Sequence, residues 1–257
     1  MHLQLTTATA TAPGAGGAAA TAVSGDSLTT LNGKGKARIV AAWGTAQTAG
    51  FCQLAFPSGH DTTRGYRVGT STGVNPFLLP PGLELPITFQ EVVTATIAGS
   101  GTAGDVEQMS LIVAYDEVPG LAQRYTSPAR ALKGEKFTSV EASITSSAGP
   151  NYSGTETIAT DSDLLLPNRD YAVMGYQTRT AVHAVGFVGP DTANTRVAGP
   201  GVLRPELTSR WFLMLSSMLG APLVPVINTG NKTTTNLFVA TDENAGTFVV
   251  TLHLALL

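Results

Sequence analysis

The sequence consists of two similar halves, and this internal similarity constrains the fold more than any other feature. Five pairs of segments match: residues 38–45 with 171–178, 66–69 with 195–198, 77–79 with 212–214, 85–87 with 221–223, and 109–115 with 248–254. The matches keep the same order in both halves, at offsets of about 129 to 139 residues. Because this spacing is close to the length of a small domain, the pattern predicts that one β unit occurs twice in the chain.

Both halves are built from short apolar runs separated by turn residues. The first half has candidate strands at 37–43, 51–56, 65–68, 85–88, 92–97 and 109–115. The second half has them at 137–144, 172–178, 184–188, 223–226, 236–240 and 247–257. Strands at this spacing, with Gly, Pro and Ser between them, are typical of sandwiches and barrels. We therefore predict an all-β protein with one sandwich in residues 1–133 and a second in residues 134–257.

Two segments differ from this pattern of short strands and turns. Residues 6–12 alternate Thr and Ala, which favours an edge strand, and the Gly-rich stretch that follows predicts a flexible N-terminal arm. Residues 205–220 place apolar side chains at helical intervals, with Pro205 in the first turn and Gly220 at the end. The spacing predicts one short helix in the second half. Its counterpart in the first half contains several prolines and cannot form a continuous helix.

Charged residues make up only 13% of the chain, about half the usual share. A surface with so few charges is typical of a subunit that is largely covered by neighbouring subunits. The formal net charge is −3 and there is no basic run, so we expect no direct nucleic-acid binding. We also expect no signal peptide and no membrane-spanning helix, because the N-terminus lacks Lys and Arg and the longest apolar run is interrupted. Contact with a membrane surface stays open.

The sequence contains no pattern that predicts catalysis or a cofactor. The four histidines are not at metal-ligand spacing, and the neighbours Ser58, His60 and Asp61 cannot align as a catalytic triad because adjacent side chains point apart. The single cysteine, Cys52, lies in an apolar run and is interpreted as a core residue. Weak Ca²⁺ binding stays open at two acidic pairs: Asp161 with Asp163, and Asp242 with Glu243. We therefore predict that the chain is not an enzyme, has no cofactor and, apart from these two acidic pairs, has no metal site.

Six residues are candidates for contacts between subunits, because aromatic residues and arginine are favoured at interfaces. Trp43 and Tyr176 match in the repeat, Arg67 and Arg196 match likewise, and Arg124 and Arg130 lie in the segment that joins the halves. The alternative interpretation is a repeated core aromatic residue, a repeated surface arginine and an exposed linker.

This organisation resembles the double jelly-roll major capsid proteins of tailless icosahedral viruses. The resemblance covers the whole chain and consists of two tandem β units, a Thr/Ala-rich N-terminus, low charge and a late helix in one unit. It implies two jelly-roll-like sandwiches in a homotrimer whose six jelly rolls form a pseudo-hexagonal capsomer. It further implies synthesis in a host cytoplasm and a place in the virion, with copies of the same chain, and other virion proteins, as partners. A capsid decoration or minor virion protein and a non-catalytic carbohydrate-binding module are the alternatives.

Overall fold

The structure is a computed structural model that describes most of the chain. The described residues are 1–14, 19–21, 24–25, 28–45, 50–59, 66–70, 77–78, 84–98, 102–145, 154–159, 164–201, 204–241 and 246–257.

The first half forms two antiparallel sheets, which together are called sandwich 1. Its strands are β1 (His2–Thr11), β2 (Ala19–Thr21), β3 (Ser24–Gly25), β4 (Lys34–Thr45), β5 (Gly50–Ala55), β6 (Tyr66–Thr70), β7 (Phe77–Leu78), β8 (Leu85–Ile87), β9 (Thr94–Ala98) and β10 (Val106–Glu117). Front sheet 1 has the order β3-β1-β10-β4-β7, and β8 also pairs with β4. Back sheet 1 has the order β2-β9-β5-β6.

The second half forms sandwich 2 in the same way. Its strands are β11 (Tyr125–Thr126), β12 (Phe137–Thr145), β13 (Gly154–Thr157), β14 (Asp170–Thr178), β15 (Ala184–Val188), β16 (Val197–Pro200), β17 (Val224–Asn228), β18 (Asn236–Ala240) and β19 (Thr247–Leu256). Front sheet 2 has the order β11-β17-β14-β19-β12, and back sheet 2 has the order β13-β18-β15-β16. Three short helices accompany them: α1 (Pro128–Ala131), α2 (Pro205–Thr208) and α3 (Trp211–Leu219).

Both sandwiches have the same strand topology. The four-strand path β1-β10-β4-β8 in front sheet 1 corresponds strand for strand to β12-β19-β14-β17 in front sheet 2. The back sheets correspond equally, β2-β9-β5-β6 to β13-β18-β15-β16. Two four-stranded sheets connected in this way make a jelly roll. The prediction of an all-β fold with two tandem jelly-roll-like sandwiches is confirmed.

A β-bulge at the same place in each front sheet marks the repeat at the level of single residues. In β4 the bulge falls on Val40, between Ile39 and Ala41, opposite β10. In β14 it falls on Met174, opposite β19. Because a bulge disturbs the ladder and is retained as a specific feature, the two positions give a register for comparing the halves.

The predicted helix at 205–220 is divided into α2 and α3. Arg210, at the N-cap of α3, has a non-helical backbone with φ −129° and ψ 23°. The end of α2 packs so closely on β14 that a Cβ at Gly175 would lie 2.2 Å from the carbonyl oxygen of Thr208. The predicted stop is correct, because Gly220 caps α3 in the left-handed conformation with φ 61°. The four-residue helix α1 lies in the segment that the sequence suggested as a connection.

The N-terminal residues belong to sandwich 1. The Thr/Ala alternation at residues 6–12, expected to form an edge strand, lies mostly in β1, which is paired with β10 on one side and with β3 on the other. The segment expected to be a flexible arm contains β2, whose residues 19–21 pair with β9. β1 is buried along most of its length, because its outer face packs against sandwich 2.

Junction between the sandwiches and candidate assembly surfaces

Strand β4 sends its side chains to two different hydrophobic clusters. Ile39 and Ala42 belong to the core of sandwich 1, together with residues of back sheet 1 such as Leu54. Val40 and Trp43 belong to a second cluster that also contains the core of sandwich 2. Because side chains alternate across a strand, front sheet 1 is buried on both faces. Its inner face closes sandwich 1, and its outer face packs against sandwich 2.

The neighbouring strands extend this outer face. Leu3 and Leu5 of β1 and Ile112 of β10 are at most 3% exposed and join the same cluster as Trp43. The backbone N–H of Leu5 donates to the carbonyl of Arg196, 3.1 Å away, directly before β16. The partner of front sheet 1 is therefore back sheet 2, and the junction joins a front face to a back face.

A buried polar group lies at the centre of this junction. The indole Nε1–H of Trp43 donates to the backbone carbonyl of His183, 2.8 Å away. The imidazole Nε2 of His183 is 2.7 Å from the hydroxyl of Ser110, which is in turn 2.6 Å from the hydroxyl of Thr7. All four side chains are at most 3% exposed. Hydrogen bonds of this kind offset the desolvation cost of polar groups in an apolar interface.

Burial lowers the pKa of His183 to about 3. Removal from water disfavours the imidazolium ion, and the neutral ring retains its hydrogen bond to Ser110. His183 is therefore uncharged at neutral pH, and its place is structural.

Trp43 and Tyr176, matched in the repeat, lie on opposite faces of their strands. The side chain of Trp43 points out of sandwich 1 and into the junction. The side chain of Tyr176 points into the core of sandwich 2, where its hydroxyl donates to the carbonyl of Pro200 at 3.1 Å and its ring packs against Phe212. Counted from the two bulges, the counterpart of Trp43 is Gln177. The one-to-one match of the two aromatic residues was therefore wrong, because the sequence comparison was displaced by one residue, and a shift of one residue moves a side chain to the other face of a strand. Contacts within one chain fully account for the burial of both aromatic rings.

Arg124 is bound within its own chain. Its guanidinium group donates to Asp170 at 2.6 Å and to Asp191 at 2.9 Å. Asp191 is 5% exposed and also accepts hydrogen bonds from the backbone of Asn228 and the side chain of Asn231, both at 2.9 Å. The charge-assisted pairs therefore fix the joining segment to sandwich 2.

The pKa values in this group agree with the geometry. Burial raises the pKa of Asp170, but hydrogen bonds from Arg124 and Asn228 outweigh it, so the pKa is lowered. The hydrogen bonds of Arg124 to Asp170 and, second, to Asp191 raise the pKa of Arg124. Both groups are ionised at neutral pH.

The other three candidate arginines lie nearer the solvent. Arg67 is exposed on the outer face of back sheet 1, where its Nε donates to Gln53 at 2.9 Å. Arg130 is exposed on α1. Arg196 is half-buried and lines a cleft between the sandwiches. Their role in subunit contacts stays a prediction.

The outer face of front sheet 2 is covered only in part. Ala131 of α1 and Leu213 of α3 pack with Ala172 of β14 and Ala255 of β19, whereas the part of the face formed by β12 and the first half of β19 is open. Ser139, Ser143 and Thr145 of β12 are exposed, and Val249 and Thr251 of β19 are half-buried. An ion pair of 2.9 Å between Arg179 and Glu141 crosses this face. The nearly continuous apolar run at 248–257 predicts a strand that is buried on both faces. In β19, however, the inner face is fully buried, whereas Val249, Thr251 and His253 on the outer face are half-buried.

A second polar cluster was not predicted from the sequence. The carboxylate of Glu91 accepts hydrogen bonds from the backbone and side chain of both Ser58 and Thr88. These bonds lower the pKa of Glu91 although burial raises it. Ser58 therefore has a structural partner far along the chain, while His60 and Asp61 lie outside the described residues. The cluster pins two turns of sandwich 1 together.

No group of three or more His, Cys, Asp or Glu side chains that could hold a metal ion occurs among the described residues. Both acidic pairs considered for Ca²⁺, at 161–163 and 242–243, lie outside that part of the chain. Among the helices that the structure describes, none is long and apolar enough to cross a membrane. Burial raises the pKa of Cys52, whose side chain is fully enclosed in sandwich 1.

The sequence matches no protein-family model and no curated protein.

Proposed function

We propose that this chain is a structural, non-enzymatic protein of a virion shell, a major capsid protein that assembles with copies of itself. The proposal extends the resemblance to double jelly-roll major capsid proteins. One observation carries it: two sandwiches of the same topology pack in one chain with the front face of the first against the back face of the second.

A front-to-back junction can be repeated between copies. After the internal junction forms, each chain retains the back face of sandwich 1 and the front face of sandwich 2. Contacts between unlike faces form closed rings when the rotation between units closes, and open arrays when it does not. Three chains with two sandwiches each would make a ring of six similar units.

The chemistry of the two remaining faces is compatible with such a contact. Both carry uncharged polar side chains, the exposed Ser139 and Ser143 on one face and the half-buried Thr94 and Thr96 on the other. On the front face, the Nε2 atom of His253 is buried without a hydrogen-bond partner. A neighbouring copy would cover this face at a low desolvation cost, because few ionic groups need to leave water.

The proposal is tested by the mass of the native particle. We expect the purified chain to form a trimer or a shell-sized particle in light scattering behind a sizing column, and hexagonal capsomers in electron microscopy. Ser143→Arg, on the open face of front sheet 2, should prevent assembly because it puts an unpaired charge into the contact. Thr234→Arg, at an exposed turn, is the matched control. A wild-type chain that stays monomeric at high concentration would overturn the proposal.

A further inference from the structure

A cleft of about 630 Å³ lies beside the junction, between the two sandwiches. Sandwich 1 contributes Gln4, Asn32 and Gln90 to its lining, and sandwich 2 contributes Asn194 and Arg196. The volume falls in the range of small-molecule sites, which often occur where two domains meet.

Hydrogen bonds hold the wall from sandwich 1 in place. The buried hydroxyl of Tyr115 donates to Gln4 Oε1 at 2.9 Å and accepts from the backbone N–H of Leu31 at 3.2 Å. The backbone N–H of Thr30 donates to the carbonyl of Glu91 at 2.9 Å, next to Gln90. The cleft is therefore preformed on this side, which reduces the entropy that a ligand must overcome.

The wall from sandwich 2 is held by a tight turn. The backbone N–H of Asn194 donates to the carbonyl of Gly189 at 2.9 Å, and that of Thr195 donates to Thr192 at 3.0 Å. The bond from Leu5 to the Arg196 carbonyl joins this wall to sandwich 1.

The backbone on both walls includes strained residues. Gln90, Ala193 and Asn194 have φ values of 56°, 52° and 55°, in the left-handed region that residues other than glycine rarely adopt. Two of them, Gln90 and Asn194, present exposed amides at the cleft from opposite sides. Strain of this kind persists where the surrounding structure enforces it, and it is common at ligand sites.

The lining specifies the chemistry of a ligand. Amide side chains both donate and accept, so they suit hydroxyl groups, and a guanidinium group suits a carboxylate. Among the residues of the lining that the structure describes, Arg196 is the one cation, and none is acidic or aromatic. A neutral sugar that stacks on a ring is therefore a poor match. From these features we propose that the cleft binds an acidic saccharide, with Arg196 at the carboxylate and the amides of Asn32, Gln90 and Asn194 at the hydroxyls.

This inference concerns a cleft within one chain and does not rest on the proposed assembly. We would titrate the full-length protein with glucuronic acid and galacturonic acid, following chemical shifts by NMR or heat by calorimetry. At least one hexuronic acid should show saturable binding at millimolar concentration or below, and glucose should bind at least tenfold more weakly. The proposal would be overturned if neither acid showed saturable binding. It would also be overturned if acetate or phosphate bound as tightly as the hexuronic acids.

Three variants test whether the saccharide binds in this cleft. Arg196→Gln should weaken binding at least tenfold, because it removes the cation and retains the backbone bond to Leu5. Asn194→Gly keeps the left-handed backbone at little cost while removing the amide, so it should also weaken binding. Arg67→Gln, the matching arginine of the repeat, is the control and should bind as the wild type does. Unchanged affinity in Arg196→Gln, in a variant with the thermal stability of the wild type, would contradict the assignment.

Discussion

The outer faces of the two front sheets have the same strand order but different surroundings. On front sheet 1 this face carries Leu5, Trp43 and Ile112, all buried against sandwich 2. On front sheet 2 the part of this face formed by β12 and the first half of β19 carries the exposed Ser143 and the half-buried Thr251, and only the remainder is covered, by α1 and α3. A duplicated unit has thus become specialised: one copy provides an apolar face for the internal junction, and the other retains a polar face.

This difference shows that topology alone does not decide which face is buried. Both sheets have a bulge at the same place, so the positions can be compared one by one. Trp43 corresponds to Gln177, and Ile112 corresponds to His253. These two apolar residues of the junction therefore have a more polar counterpart, whereas Val40 corresponds to the apolar Met174, which packs against α1 and α3. Substitutions at the first two pairs measure what the junction contributes to stability.

The largest effect is expected for Trp43→Ala. The change removes a large buried ring and its hydrogen bond to the carbonyl of His183, which keeps only the longer bond of 3.4 Å from the backbone N–H of Gly201. The free energy of unfolding should therefore fall by about 3–5 kcal/mol. Gln177→Ala, at the matching position, should stay within about 0.5 kcal/mol. Urea denaturation followed by tryptophan fluorescence and circular dichroism measures both. Equal losses would show that the two faces are energetically alike and would refute the comparison.

A second pair tests aliphatic packing. Ile112→Ala should lower the free energy of unfolding by about 2–4 kcal/mol, because the junction cannot close the space that the side chain leaves. His253→Ala, its counterpart, should cost less than about 1 kcal/mol because its strand face is half-open. Thermal unfolding by calorimetry provides the test. A loss near zero for Ile112→Ala would mean that the sandwiches do not depend on this contact.

The pH dependence of stability should also differ between the two faces. His183 has a pKa of about 3 in the folded chain, against an ordinary value of 6.5. Between pH 3 and pH 6.5 its imidazole is therefore protonated only in the unfolded chain. Stability should therefore fall as the pH drops below 6.5, by at most about 1.4 kcal/mol per pH unit from this residue. Burial also lowers the pKa of His253, in the same direction.

The variants His183→Gln and His253→Gln separate these two contributions. Melting temperatures measured between pH 5 and 7 should depend least on pH in His183→Gln, because the fully buried ring has the larger shift. If the melting temperature of His253→Gln depended less on pH than that of His183→Gln, the comparison would be reversed.

The smallest effect is expected for the ion pair on the open face. Arg179 and Glu141 are substantially exposed, with 68% and 42% of their side-chain surface accessible. Arg179→Ala should therefore change the free energy of unfolding by less than about 0.5 kcal/mol, and salt should reduce the difference further. Chemical denaturation at low and high salt checks this. A larger loss in the monomer would show that the open face contributes to the fold itself.

The strands were predictable because their signal is local. Predicted strands 184–188 and 236–240 agree with β15 and β18 residue for residue. Short strands were missed, among them β3, β7 and β11, because two or three residues carry no periodicity. The helix was predictable from its spacing, but its interruption depends on close packing against Gly175, which the spacing does not reveal.

The candidate site was only partly predictable. Arg124 was chosen as an interface residue from its position in the connection, whereas its partners Asp170 and Asp191 follow in the chain by 46 and 67 residues. Ser110 and His183 are 73 residues apart, and no sequence motif links them. Such groups meet only when distant strands become neighbours, so spacing could not indicate them.

The sequence by itself determined the β architecture, its duplication and the low charge of its surface, because strand periodicity and composition are local properties. The tertiary structure alone decided which of the two equivalent outer faces is buried, and that Trp43 and Tyr176 point in opposite directions. The physical reason is that each face contains alternate residues of several strands, so a shift of one residue between the two halves moves a side chain to the opposite face. Burial of a face is therefore a property of the packed sheets and their register.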